Sequence, residues 1–303
     1  MGHLRDGIIL IDKNEGETSH DVVDQIRRIL KIRKVGHAGT LDPFATGLLV
    51  VLLGEGTKLS PYLLSGVKRY LATMRLGIET DTQDLCGRII HTRPLQGVTP
   101  ADILEQASGF IGEIEQTPPA FSAVRWKGKR AYQFARKGIQ PPLKSRKVWI
   151  HSLEVTRIEL PDVTIEVSCS SGTYIRSLAA SLGKRLGPGG HLIALRRLSS
   201  EPFSVEDALN LRMPLSEMAF VQDRIFPLSR ALPQMPAVPI ENHMAQKIRN
   251  GYRPDWMELS AGSGCPDFCE GYMKLLTGGD LVAIIELKAS TKEHLLKIKR
   301  VFH

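Results

Sequence analysis

The chain has 303 residues, 42% of them apolar and 24% charged, with a formal net charge of +8 and a pI near 9.3. That length suits two domains or one large domain with an appendage, and no run approaches the roughly 20 apolar residues of a membrane span. The basic surplus favours a polyanionic partner, most simply nucleic acid. The first residues lack the apolar h-region of a signal peptide. The cysteines are few (Cys86, Cys169, Cys265, Cys269), which fits a reducing cytoplasm. Cys265 and Cys269 stand in a C-x3-C spacing with no second Cys or His pair at a zinc-ligand distance, so free thiols are expected.

Gly7–Ile11 reads as a strand and Asp12–Ser19 as a polar loop. Val22, Val23, Ile26, Ile29 and Leu30 share one helical face, and Thr18 with Asp21 forms a capping-box pattern. Leu48–Leu53 is a continuous apolar run that suits a buried strand. Lys68–Leu76 is a further strand, Thr80–Gly87 is turn-like, and Ala101–Gly109 reads as a short helix. Val148–Leu160 and Val163–Cys169 read as strands, the second with Val163, Ile165, Val167 and Cys169 in strict alternation. Ile175, Leu178, Ala179, Leu182 and Leu186 then give a helical stripe, stopped by Gly187-Pro188-Gly189-Gly190. Pro227, Pro233, Pro236 and Pro239 suggest a linker over 227–239. A short helix (Glu241–Asn250), a glycine-rich segment and two strands (Leu281–Lys288, His294–Phe302) follow as a small β-rich module.

The stretch Lys34–Leu49 carries the most chemical information. Gly36 and Gly39 permit tight turns, Pro43 biases Asp42 toward extended backbone, and the flanks are apolar or basic. An isolated carboxylate held on such a turn is a candidate nucleophile. Asp-Pro is also a common helix start, with Asp as the N-cap and Pro at the first helical position, and that reading stays open.

Gly36-His-Ala-Gly-Thr-Leu-Asp-Pro-Phe-Ala-Thr-Gly-Leu-Leu49 closely resembles the central motif of the bacterial TruB family of tRNA pseudouridine synthases. Gly7–Ser19 resembles the family's N-terminal strand and loop, with Asn14 where the family often has Pro. Lys68-Arg-Tyr70, Arg75-Leu-Gly77 and Thr80-Asp-Thr82 resemble its second motif, and Ser171–Ser177 its third. Gly190–Leu198 is similar to the motif after the final catalytic helix. The resemblance covers about residues 7–215; the tail resembles the family's PUA-like appendage only loosely, and Met257–Gly279 matches nothing in it.

The resemblance implies an α+β protein with a mixed, largely antiparallel sheet. Residues 1–232 would be the catalytic domain and 233–303 a PUA-like RNA-binding module. The implied reaction converts the T-loop uridine of tRNA, position 55, to pseudouridine, an isomerisation that requires no cofactor or metal in principle. Asp42 would be the nucleophile, and Arg176 would pair with it, keep it ionised and orient it. Tyr70 would lie against the base and assist proton transfer at carbon, with Tyr174 and Leu195 lining the pocket. His37 would fill the stack after the base is extruded. Lys13 and Lys58, on loops beside the motifs, would reach RNA phosphates.

Thr117–Lys147 holds nine Lys or Arg and no Asp or Glu, with Phe121, Trp126, Tyr132 and Phe134 interleaved. This pattern suits a segment that follows an RNA backbone, with Lys127, Lys129 and Arg130 as contacts. In the family it is a mobile insertion that closes over the T-arm, so poor order without RNA is expected. The expected partner is therefore the T-arm of tRNA, with no membrane, no obligate protein partner and a monomeric chain. Three alternatives remain: the related guide-RNA-dependent branch, an RNA-folding chaperone, and a plain RNA-binding module. The Phe44-Ala-Thr-Gly47 form and the long basic insertion favour the stand-alone branch.

Overall fold

A computed structural model describes residues 6–212, 215–260, 270–288 and 295–303. In chain order the elements are β1 (Gly7–Lys13), α1 (Ser19–Leu30), β2 (Val35–His37), β3 (Thr46–Leu53), α2 (Ser60–Leu64), β4 (Lys68–Leu76), β5 (Ile78–Thr80), β6 (Ile89–Thr92), α3 (Pro100–Ser108) and β7 (Gly112–Gln116). The hairpin β8 (Arg125–Trp126) and β9 (Lys129–Arg130) and helix α4 (Ala131–Ala135) occupy the basic segment. Then come β10 (Arg146–Glu159), β11 (Asp162–Cys169), α5 (Ile175–Leu186), β12 (Gly190–Ser200) and β13 (Phe203–Ser204). The chain ends with β14 (Ala237–Pro239), α6 (Asn242–Arg249), α7 (Trp256–Ser260), β15 (Gly271–Thr277), β16 (Asp280–Lys288) and β17 (Leu295–Val301). Among the described residues, no helix is long and apolar enough to cross a membrane.

The main sheet runs β1-β3-β12-β4-β11-β10-β7, with β2 on β3 and β13 on β12. Its pairings are antiparallel except β12 with β3, where Arg196 and Arg197 run parallel to Thr46 and Gly47. This parallel seam brings the residues after the Asp42 turn against the Gly190–Ser200 strand.

Strand alternation explains the continuous apolar run of β3. Leu49, Val51 and Leu53 join Ile9 and Ile11 under α1, while Leu48, Val50 and Leu52 join Ile8 and Leu10 on the opposite face. That opposite face is covered by Leu281, Ile284 and Phe302 of the C-terminal strands and by Ala231 and Leu232. On β11, Val163, Ile165, Val167 and Cys169 all point into the core beneath α3 and α5, as their alternation predicts. Its outer face pairs with β4 through Arg75–Asp162 and Arg69–Glu166.

Helix α1 begins with the expected capping box: Thr18 Oγ1 accepts from Asp21 N–H, and Asp21 accepts from Thr18 N–H. Helix α3 carries the same device at Thr99 and Asp102. Helix α5 lacks a side-chain cap of its own; Gln116 of β7 supplies it by accepting from Tyr174 N–H at 2.7 Å.

The proline-rich stretch 227–239 is packed rather than extended: Ala231 and Leu232 are buried, and β14 pairs parallel with β15. Its irregular periodicity reflects a short 3-10 turn and a three-residue strand. The C-terminal sheet runs β14-β15-β16-β17, so β15 joins the two strands expected from sequence. It lies in the otherwise unassigned stretch Met257–Gly279, as does part of α7. Cys265 and Cys269 lie outside the described residues.

Candidate active site

Asp42 does not cap a helix. Pro43 and Phe44 form a turn closed by Ala45 N–H donating to the Asp42 carbonyl at 3.0 Å, and the chain then enters β3. Leu41 and Ala45 on either side are buried and fix the turn from below. Ser19, at the start of α1, exchanges two hydrogen bonds with the Leu41 backbone at 2.9 and 3.1 Å. The helix-start reading fails because β3 begins four residues later and needs extended backbone. The rigidity that Pro43 suggested is real, but it belongs to a turn.

Arg176, near the start of α5, meets this carboxylate. Its Nη2 donates to Asp42 Oδ1 at 3.2 Å, and Nε lies 2.9 Å from Oδ2, close enough to pair in charge but not aligned as a hydrogen bond. The arginine is only 3% exposed, whereas the Asp42 side chain is one-third exposed (33%). Nη1 donates to the Thr82 carbonyl and Nη2 to the Phe121 carbonyl, both at 2.9 Å. The guanidinium is also 3.4 Å from Asp84 Oδ2. Sequence reasoning passed over Asp84. It sits two residues beyond the Thr80–Thr82 motif, buried and held by Thr82 Oγ1 and the Cys86 N–H. Burial raises the Asp42 carboxyl above its ordinary value; Arg176 pulls it back down, and the nearby Asp84 charge adds to the rise. Arg176 therefore opposes protonation of Asp42 without fully offsetting burial.

Tyr70, on β4, is buried one strand away, and Leu195 of β12 lies on the same face, paired opposite Ala72. Burial pushes the Tyr70 phenol up, while the Arg197 guanidinium opposes the shift. Tyr174 stands just before α5, with the Arg146 guanidinium 5.0 Å over its ring. The structure thus brings Asp42, Tyr70, Tyr174, Arg176 and Leu195 onto adjoining segments. It adds Asp84, Gln116, Arg146 and Arg197, which sequence reasoning did not select. Arg197 was legible in part: it follows Arg196 in a strand, and alternation sends one outward to Asp12 and the other inward.

His37 ends β2, its Nδ1 buried without a hydrogen-bond partner. Burial and the Arg197 charge lower its pKa, so the ring is neutral near pH 7. Lys13 departs from expectation. It is 1% exposed and lies at the end of β1, where Nζ donates to the carbonyls of Asn14, Glu17 and Pro43. An ammonium spent on three carbonyls beneath the turn is a brace, not a phosphate contact. Lys58 departs too: it pairs with Glu55 and donates to the Val301 carbonyl at 2.7 Å, which ties β17 to the main sheet. Lys127, Lys129 and Arg130 lie exposed on the β8–β9 hairpin. Trp126 and Phe134 pack edge to face there at 4.7 Å.

The matches to known proteins agree with this geometry. Residues 27–175 match the family model described as "TruB family pseudouridylate synthase (N terminal domain)". The "tRNA pseudouridine synthase B" of Geobacter sulfurreducens is 42% identical over 98% of this chain and 100% of its own length. That of Clostridium kluyveri is 45% identical over 81% of this chain and 84% of its own. Among solved structures, a Cbf5-Nop10-Gar1 complex superposes with a TM-score of 0.76 at 28% identity, covering 99% of this chain and 86% of that one. Fold and matches together define an isomerase of the pseudouridine synthase class. The chain belongs to the TruB family.

Proposed function

We propose that the protein converts the T-loop uridine of tRNA to pseudouridine, with Asp42 as the nucleophile. The observation that carries this reading is a carboxylate on a rigid turn, one-third exposed, gripped by a buried arginine that is itself anchored to Thr82, Phe121 and Asp84. Such a group is fixed in direction before substrate arrives, which is what nucleophilic attack in a confined pocket needs.

In the reaction the N1–C1′ bond breaks, the uracil turns, and C5 bonds to C1′. The C5 proton then leaves and N1 gains one, so the product is an isomer and no electrons are gained or lost. Tyr70 is the base-side group for the proton at C5, while Leu195 and Tyr174 wall the pocket. His37, neutral and with an unpartnered Nδ1, fills the place of the extruded uridine. The exposed cations of the β8–β9 hairpin grip phosphates of the T-arm. The Phe121 carbonyl accepts from Arg176, so this basic segment is joined directly to the site it would close. The chain acts as a monomer.

Relatives named for tRNA stand at 42% identity over nearly the whole chain, against 28% for the Cbf5 complex, which favours tRNA over a guided RNA target. Incubation of the protein with an unmodified tRNA transcript tests this: chemical derivatisation and primer extension should show one new pseudouridine stop in the T-loop. Stops elsewhere only, or none, would refute the substrate assignment.

A further inference from the structure

Among the described residues, the largest fully buried side chain is Arg197, only 1% exposed. Its Nε donates to the Leu48 carbonyl at 2.7 Å and Nη2 to the Gly39 carbonyl at 3.1 Å, so it spans the two sides of the Asp42 turn. Carboxylates near the site are committed elsewhere: Asp42 and Asp84 to Arg176, and Asp12 to Arg196. A guanidinium withdrawn from water without a carboxylate partner is held at a cost in free energy. Hydrogen bonds to two carbonyls require N–H donors and no net charge. The positive charge therefore calls for a reason beyond bracing the turn.

Its direction supplies one. Arg197 lies directly across from Tyr70 in the β12–β4 register, with both side chains on one face. Gly47, its neighbour on the other side, has φ of +97°, and a Cβ there would overlap the Arg197 backbone. Glycine thus lets β12 come close enough to bring the arginine beneath the site. The groups acting on the Tyr70 hydroxyl are Arg197 from β12, Cys169 from β11 and Asp42 from the turn; of these only Arg197 is cationic. Arg197 also acts on Lys13 of β1, Lys68 of β4 and His37 of β2, all of which it makes harder to protonate.

We propose that Arg197 is a positioning residue of the isomerisation, whose buried charge stabilises the Tyr70 phenolate that removes the proton from C5. This rests on the reading of Tyr70 given above. In the step, the C5–H bond breaks and its proton goes to the Tyr70 oxygen. The bonding pair becomes the C5–C6 double bond, the former C6–N1 π pair moves onto N1, and N1 takes a proton back from the Tyr70 hydroxyl. The enzyme ends as it began. Burial holds the phenol up and Arg197 holds it down, so loss of the charge moves phenolate formation to higher pH.

The test compares wild type, Arg197→Gln, Arg197→Lys and Tyr70→Phe in single-turnover reactions on tRNA, with uridine carrying hydrogen or deuterium at C5. Arg197→Gln should lose roughly 10²-fold in rate, the scale of one proton-transfer group, with KM little changed. Its rate should rise with pH over a more alkaline range than wild type, and its deuterium isotope effect should be larger. Arg197→Lys, which keeps the charge, should hold the wild-type pH range and isotope effect. If Arg197→Gln does not fold, that Lys comparison still decides: a shifted range in Arg197→Lys overturns the proposal. An unmoved range and isotope effect in folded Arg197→Gln also overturn it and leave only a brace. Full activity in Tyr70→Phe would instead refute the role given to Tyr70. Inactive Tyr70→Phe beside an unshifted Arg197→Gln refutes Arg197 alone.

Discussion

Two charged residues at the site show how burial sets behaviour with pH. Asp42 is raised by burial, and the strongest opposing influence is Arg176. Arg176→Gln removes that opposition, so the acid limb of the pH–rate profile should move to higher pH and the maximal rate should fall. A profile of single-turnover rates checks this, and an unmoved limb would contradict the pairing. Lys13 is a different case. Burial lowers its pKa from 10.5 to about 8, with Glu17 and Asp42 opposing. Between those values the unfolded chain binds more protons than the folded one, so this lysine adds stability as pH rises. Relative to Lys13→Met, the wild type should gain on the order of 2–3 kcal/mol between pH 8 and 10.5. Urea denaturation of both proteins across that range checks the sign; a constant difference would contradict it.

At the scale of elements, periodicity made much of the fold legible. β4 runs over Lys68–Leu76 as expected, and α5 fills Ile175–Leu186. The apolar residues of β3 occupy both faces of a doubly covered strand. What stayed hidden depends on distant partners. β14 and β15 are strands because each pairs with a neighbour, and nothing in 227–239 announces that pairing locally. Lys13 reads as a loop cation until its three carbonyl partners are seen, and Asp84 reads as one of many turn acids until Arg176 arrives from far along the chain. The cap of α5 is hidden for the same reason, since Gln116 supplies it from β7. Gln116→Leu strands the Tyr174 N–H, while the Tyr174 carbonyl keeps its bond from Leu178 N–H; the loss costs about 1–3 kcal/mol and loosens the helix start that aims Arg176. The urea midpoint should fall and the catalytic rate with it; an unchanged midpoint would contradict the capping role.

Across the whole molecule, the main sheet and the C-terminal strands share one apolar core. Ile8, Leu10, Val50 and Leu52 meet Leu281, Ile284 and Phe302, and Lys58 adds a hydrogen bond to the Val301 carbonyl. β1 and β3 also carry the Asp42 turn between them, so the terminal strands support the floor on which that turn rests. Under the proposed function, this floor presents Asp42 to an extruded uridine. The most direct test measures tritium released from 5-tritiated uridine in tRNA, alongside RNA affinity, for wild type and Asp42→Asn. Wild type should release tritium stoichiometrically and Asp42→Asn none, with similar affinity for both. Release by Asp42→Asn at the wild-type rate would contradict that function.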